Sequence, residues 1–172
     1  MKLMIASDIH GAAGYCRDLL SAFDREGAAR LLLLGDILYH GPRNDLPDEY
    51  APKQVLAMLN ERRDRLFCVR GNCDIGGRAP DTDIVPLGPV KAFITHGHLY
   101  NVNYGRVDSL VYAAQEAGAQ LAMFGHTHQA YYEQIGGVQV LNPGTAGRGR
   151  ELTWALIEIF DNGAFACEIR KL

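Results

Sequence analysis

The sequence predicts an α/β fold: two packed mixed sheets with helices on their outer faces, a four-layer α/β/β/α sandwich. Three observations predict it. The first part of the chain alternates apolar strands with amphipathic helices in the order β-α-β-α-β, which favours a parallel, right-handed sheet. Arg30–Leu34 is continuously apolar rather than alternating, as expected of a strand covered on both faces. Farther along, strand-like runs are joined by Gly136-Gly137 and Asp161-Asn162-Gly163, strong hairpin signals, so the carboxyl-terminal half reads as mostly antiparallel.

The elements follow in order. Lys2–Ser7 is a strand ending at Asp8. Tyr15–Arg25 has apolar residues at helical spacing and stops at Gly27, a C-cap residue. Arg30–Leu34 closes on Gly35-Asp36. Residues 42–52 are polar and carry Pro42, Pro47 and Pro52, hence a loop. Lys53–Arg63 is helical, with Val55, Leu56, Met58 and Leu59 expected inward. Leu66–Val69 is the third strand, ending at Arg70-Gly71-Asn72. Ile84–Leu87 and Val90–Thr95 flank Gly88-Pro89 as a hairpin. Val107–Ala117 is the third helix, followed by Gly118. Leu121–Phe124 runs into Gly125-His126. Ala130–Ile135 pairs with Val138–Leu141, and Thr153–Phe160 with Ala164–Ile169.

Bulk properties narrow the function classes. The 172 residues, 48% hydrophobic and 22% charged, suit one soluble domain spanning residues 1–172. A formal net charge of −3 gives no basic footprint for nucleic acid. Apolar runs are too short to span a membrane. Met1–Ala6 resembles the start of a signal peptide, but Ser7-Asp8-Ile9-His10 ends it too early. Cys16, Cys68, Cys73 and Cys167 read as reduced thiols of a cytoplasmic protein, without CxxC spacing.

Seven hard ligands sit at strand ends: Asp8, His10, Asp36, Asn72, His96, His126 and His128. Residues two apart in extended chain project to one side, so Asp8 with His10, and His126 with His128, are expected to converge. Gly35 and Gly71 are expected to turn the backbone tightly before Asp36 and Asn72. Seven ligands exceed one tetrahedral ion but suit two ions sharing a carboxylate, a centre that activates water and clamps phosphate oxygens. Each element alone is a weak signal; their joint placement after apolar strands is a strong one.

The order D-x-H, GD, GN, HGH, GHTH over residues 8–128, followed by Asn142-Pro143-Gly144-Thr145, resembles the calcineurin-like metallophosphoesterase superfamily. Gly71-Asn72-Cys73-Asp74, with His40-Gly41-Pro42-Arg43-Asn44 after Asp36, is similar to its bacterial YfcE-type phosphodiesterase subfamily. The resemblance implies the metallophosphoesterase fold. It also implies that Asp8, His10 and His128 bind one ion, that Asn72, His96 and His126 bind a second, and that Asp36 bridges both with a water or hydroxide. Two divalent ions per chain are expected, Mn²⁺ foremost, with Fe, Zn²⁺ or Ni²⁺ as alternatives. His98 and Asp74 are expected to support the ligands from behind.

The expected reaction is in-line hydrolysis of a small-molecule phosphodiester by the metal-bridging hydroxide, with Asn72, Cys73 and Asp36 in the catalytic group. Most superfamily members carry His where this chain has Cys73, and a thiol is a weaker donor than imidazolium. Two ions, Asp8, Asp36 and a hydroxide leave about one net positive charge, which balances a diester monoanion. Arg43 and Asn44 lie where a loop could contact substrate; Arg148 and Arg150 are weaker cases. The alternatives are a phosphomonoesterase or nucleotide phosphatase of the same fold, a nuclease, and a non-catalytic protein-binding scaffold. No membrane partner is expected, and homo-oligomerisation is left open.

Overall fold

The computed structural model describes residues 1–42, 44–103 and 105–172. Its first sheet has the order β10-β9-β1-β2-β3, formed by Lys2–Ala6 (β1), Arg30–Leu33 (β2), Leu66–Cys68 (β3), Thr153–Ile159 (β9) and Phe165–Lys171 (β10). Its second has the order β4-β5-β6-β8-β7, formed by Thr82–Leu87 (β4), Val90–Thr95 (β5), Leu121–Met123 (β6), Ala130–Ile135 (β7) and Val138–Pro143 (β8). Helices Ala13–Glu26 (α1) and Pro52–Asn60 (α2) cover the first sheet, and Asp108–Glu116 (α3) covers the second.

Side-chain alternation builds the layers. Along β1, Met4 and Ala6 pack with Cys16, Leu19, Leu20 and Phe23 of α1. Leu3 and Ile5 point the other way and meet Val85, Ala92, Ile94, Leu121 and Met123 between the sheets. Strand β2 divides its leucines likewise, Leu31 and Leu33 outward and Leu32 inward. All five leucine and isoleucine side chains named here on β1 and β2 are buried, each contributing roughly 1.5–3 kcal/mol by leaving water. On the far side Phe93, Ala122 and Val140 pack beneath Leu110, Val111 and Ala114 of α3. The result is the four-layer sandwich the sequence predicts.

Two expectations change, and a third gains a detail. Leu56 is 47% exposed, because only Val55 and Leu59 of α2 are buried and the helix presents a narrow stripe. The second half is mostly antiparallel as expected, but it also carries parallel pairings, β5 with β6 and β6 with β8. Helix α3 makes the crossover between β5 and β6, returning the chain to start a parallel neighbour. Pro52 opens α2 as its first residue rather than closing the loop before it, as its fixed φ suits.

Both sheets thereby send parallel strands toward one end of the sandwich. β1, β2 and β3 arrive from the first sheet, and β5 and β6 from the second. The predicted ligands follow the carboxyl ends of these five strands, where α/β sheets gather ligands.

Candidate metal centre

The loops that leave β1 and β2 are zipped together before any ligand is considered. The Asp8 N–H donates to Gly35 O (3.0 Å), His10 N–H to Asp36 O (2.8 Å) and Gly11 N–H to Ile37 O (2.9 Å). The Gly125 N–H reaches His96 O at 3.0 Å, joining the loops after β5 and β6. A strap from β8 to β9 ties these pairs to each other. Asn142 is fully buried, and its amide donates to Gly125 O (2.7 Å) and Thr127 Oγ1 (3.0 Å). Thr145 Oγ1 donates to Asp8 O at 3.1 Å, and the Ala146 and Gly147 N–H groups reach Ser7 O and Asp8 O.

The backbone at five of the seven candidate ligands is left-handed. Asp8, His10, Asp36, His126 and His128 have φ of 59°, 51°, 52°, 68° and 57°. This corrects the expectation that Asp-x-His and His-x-His converge through extended chain. Left-handed backbone costs about 1–2 kcal/mol per residue, and Asp and His are among the side chains that tolerate it best. The interstrand hydrogen bonds just described hold it. Gly71 is likewise needed for space and not for its turn: an added Cβ would collide with the Asp36 carboxylate. Gly35 does have the expected positive φ, +95°.

The side chains converge in overlapping groups. Asp8, His10 and His128 present ligand atoms within 4.8 Å of one another, as do Asp8, Asp36 and His96. His10 Nε2 lies 3.7 Å from Asp8 Oδ1 and 3.2 Å from His128 Nε2. His96 Nε2 lies 3.1 Å from Asn72 Oδ1, and the His126 ring stands 5.1 Å from the His96 ring. Asn72 is exposed at the mouth, whereas Asp8, His10, Asp36 and His96 are buried.

Asp36 links the groups. Its Oδ1 accepts the Cys73 N–H at 2.7 Å. Its Oδ2 faces His96 Nε2 at 3.4 Å and His10 Nε2 at 3.9 Å, between the two halves. Burial opposes charge on Asp36, but hydrogen bonding and charge from His96 hold its carboxyl well below the usual carboxylate range. Burial likewise opposes charge on Asp8, and His128 and His96 hold it ionised. His96 responds in turn: burial disfavours its cation, yet Asp36 and Asp8 raise it to about 9.

The donor set fits divalent cations. Asp8 Oδ1 is buried and accepts no hydrogen bond from the described residues, leaving a carboxylate oxygen aimed at the imidazoles. His10 Nδ1 lies 2.9 Å from Tyr39 O and His96 Nδ1 2.7 Å from Leu34 O. Donation to these carbonyls fixes the proton on Nδ1 and turns the Nε2 lone pair inward, the arrangement metal-binding imidazoles use. Tyr39 and Leu34 act through main-chain oxygens, so no residue type announces them in the sequence. Asn142 and Thr145 carry a signal, the Asn-Pro-Gly-Thr run, but their strap role follows only from the tertiary contacts.

The remaining predicted residues fall as follows. Cys73 is buried, and its Sγ comes within ligand reach of His10 and Asp36, although thiolate ligation is not expected from the sequence. Burial, and then Asp36, push this thiol up to about 12, so it stands as a neutral group. Asp74 touches backbone and no ligand side chain: Oδ1 accepts from Ile37 and Leu38 N–H (2.9 and 3.3 Å) and Oδ2 from Gly71 N–H (3.0 Å). It fixes the loop after β2 against the loop after β3. The His98 ring lies 5.5 Å from that of His96. Asn44 donates to His40 O at 2.8 Å, and its amide and Cys73 Sγ both crowd Gly41. Arg43 lies outside the described residues.

A family model for the calcineurin-like phosphoesterase superfamily domain matches residues 1–162. The chain belongs to that superfamily. It is 39% identical over 154 residues to phosphodiesterase YfcE of Escherichia coli K12, covering 84% of this chain and 79% of that protein. It is 35% identical over 147 residues to phosphodiesterase MJ0936 of Methanocaldococcus jannaschii, covering 84% and 83%. The solved structure of the E. coli phosphoesterase YfcE superposes with a TM-score of 0.78 at 32% identity, covering 98% of both chains. The superfamily fold is therefore the fold of this chain, and its phosphoesterase chemistry matches the convergent carboxylates and imidazoles.

Proposed function

We propose that this protein hydrolyses phosphodiesters with two divalent cations. Asp8, His10 and His128 would hold one cation and Asn72, His96 and His126 the other, with Asp36 shared. The observation that carries the reading is the placement of Asp36 Oδ2 between His96 Nε2 and His10 Nε2, at 3.4 and 3.9 Å. One carboxylate oxygen there can serve both groups. Bound ions would supply an activated water and neutralise charge on the phosphoryl oxygens during in-line displacement. The phosphodiesterase names of the two relatives support the diester as substrate class.

The chain's own groups set the rest. Asp36 Oδ1 is committed to the Cys73 N–H, so the carboxylate cannot rotate away from its shared position. Asn72, exposed at the mouth, can reach a phosphoryl oxygen as well as an ion. Cys73 offers a neutral thiol where the superfamily usually has imidazole, so leaving groups that depart with little protonation are favoured. Oxygen and imidazole donors suit Mn²⁺, Fe and Zn²⁺ alike, and the resemblance to the YfcE-type subfamily makes Mn²⁺ the proposed ion.

The test is a reconstituted assay. Metal-stripped protein should be inactive, regain activity with Mn²⁺ and bind close to two ions per chain. It should cleave bis(4-nitrophenyl) phosphate with a higher kcat/KM than 4-nitrophenyl phosphate. Full activity with one ion per chain would overturn the shared-carboxylate arrangement, and a preference for the monoester would overturn the diester assignment.

A further inference from the structure

A cleft of about 300 Å³ adjoins the candidate metal centre and is lined by Leu38, Tyr39, Cys73, Asp74, Ile75 and the glycines 76–77. That volume is at the small end of the ~300–1,000 Å³ typical of small-molecule sites. The cleft touches the centre twice. Cys73 follows Asn72 and has its N–H on Asp36, and Tyr39 carries the carbonyl facing His10 Nδ1.

Its walls are largely apolar. Gly76 and Gly77 offer bare backbone, and Tyr39 brings an aromatic ring that packs edge-on against His40, centroids 4.7 Å apart. Ile75 is 86% exposed, the most exposed large hydrophobic side chain among the described residues. Nothing in the core accounts for an isoleucine there. Among the described residues Asp74 is the one charged group in the lining, and both of its oxygens already accept backbone N–H groups. Those bonds tie the Leu38 wall to the 73–77 wall, so the cleft is formed before any ligand arrives.

We infer that this cleft receives an aromatic ester substituent of the phosphodiester, and that Ile75 determines that specificity. This rests on the proposed phosphodiesterase site, since the phosphoryl group must sit at the metals for the ring to reach the cleft. A small, largely apolar cleft with a tyrosine in its lining favours a planar ring by aromatic contact and burial. With Asp74 occupied, it selects by shape and apolarity more than by hydrogen bonds to the ring's edge.

The experiment measures binding without turnover, which separates ring recognition from leaving-group ability. The monoanionic methyl esters of phenylphosphonate and methylphosphonate, which match a diester in charge and carry a poor leaving group, are titrated calorimetrically into Mn²⁺-loaded wild-type protein and Ile75→Asp. Ile75 is exposed enough that the substitution leaves the fold intact. The wild type should bind the phenylphosphonate ester at least about tenfold more tightly than the methylphosphonate ester, the scale of discrimination a small apolar pocket supplies. Ile75→Asp should bring the two within about twofold while leaving affinity for the methylphosphonate ester unchanged. In zinc-loaded protein the Ile75 δ-methyl resonance should move with the phenylphosphonate ester and not with the methylphosphonate ester. Equal affinities in the wild type, or an undiminished preference in Ile75→Asp, would overturn the aromatic cleft while sparing the metal site. Failure of both phosphonate esters to bind would overturn the phosphodiesterase reading and this inference together.

Discussion

Asp36 carries two jobs on two oxygens, one held by the Cys73 N–H and one facing His10 and His96. Removing it should therefore do more than remove any single imidazole. Asp36→Ala is expected to lower kcat by at least on the order of 10²–10³ and reduce metal content at both positions. His128→Ala should mainly weaken one ion and be partly rescued by excess Mn²⁺. Wild-type turnover by Asp36→Ala at saturating Mn²⁺ would contradict the shared role. At Cys73 the expected change is one of selectivity. Cys73→His supplies a group that can donate a proton near neutral pH, so monoesterase activity should rise relative to diesterase activity with metal content unchanged. Comparing kcat/KM over aryl esters of graded leaving-group pKa checks it; a constant ratio removes Cys73 from specificity. These residues are legible in sequence because each candidate ligand follows an apolar run within a few residues. The carbonyls of Tyr39 and Leu34 are not, since they lie 29 and 62 residues from the imidazoles they orient.

At the scale of elements, the strap from β8 to β9 decides whether the loops stay in register. Asn142 holds the Gly125–Thr127 turn while Thr145, Ala146 and Gly147 hold the Ser7–Asp8 turn. Asn142→Ala leaves Gly125 O and Thr127 Oγ1 short of a buried donor, at about 1–3 kcal/mol. Metal affinity should fall roughly 10–100-fold, as when a ligand's support is lost, and the protein should melt at lower temperature. Thermal denaturation with and without metal measures both; an unchanged metal affinity would show the strap to be structural only. The strands and turns were legible because period, glycines and prolines mark them. The left-handed backbone at five of the candidate ligands was not. Its φ is imposed by partners such as Gly35 O and Asp36 O on a different strand, and local spacing favours the commoner extended form. Leu56 was misplaced for a related reason: periodicity locates an apolar stripe but not how far the neighbouring sheet extends beneath it.

For the whole molecule, the buried charges tie stability to pH and to metal. His96 is raised above its ordinary 6.5 to about 9 in the metal-free fold. Its contribution is present in full below 6.5 and lost as pH rises through about 9. Asp36 and Asp8 are depressed, so theirs is present above the ordinary 3.8 and lost as pH falls through their lowered values. Metal-free protein should thus be favoured by these groups between roughly pH 4 and 6.5 and lose that support in alkali. With His96 as a proposed ligand, metal would have to displace its proton, so binding should release a proton and tighten as pH rises toward 9. Calorimetry in buffers of different ionisation enthalpy reads that proton; none released at pH 7.5 would contradict His96 as a ligand. At 100 times its dissociation constant a ligand adds about 2.7 kcal/mol, or roughly 5–10 °C in a chain of this size.

The proposed ligands are drawn from both sheets: Asp8, His10, Asp36 and Asn72 leave the first, and His96, His126 and His128 the second. Filled with ions, such a centre is a cross-link over the seam of the sandwich, closed by coordination instead of covalent bonds. Chelation would then act like cutting a staple. Amides of residues 7–11 and 125–128 would exchange with solvent deuterium sooner than those of the sheet interiors, and the supply of metal would set how firmly the two halves are locked.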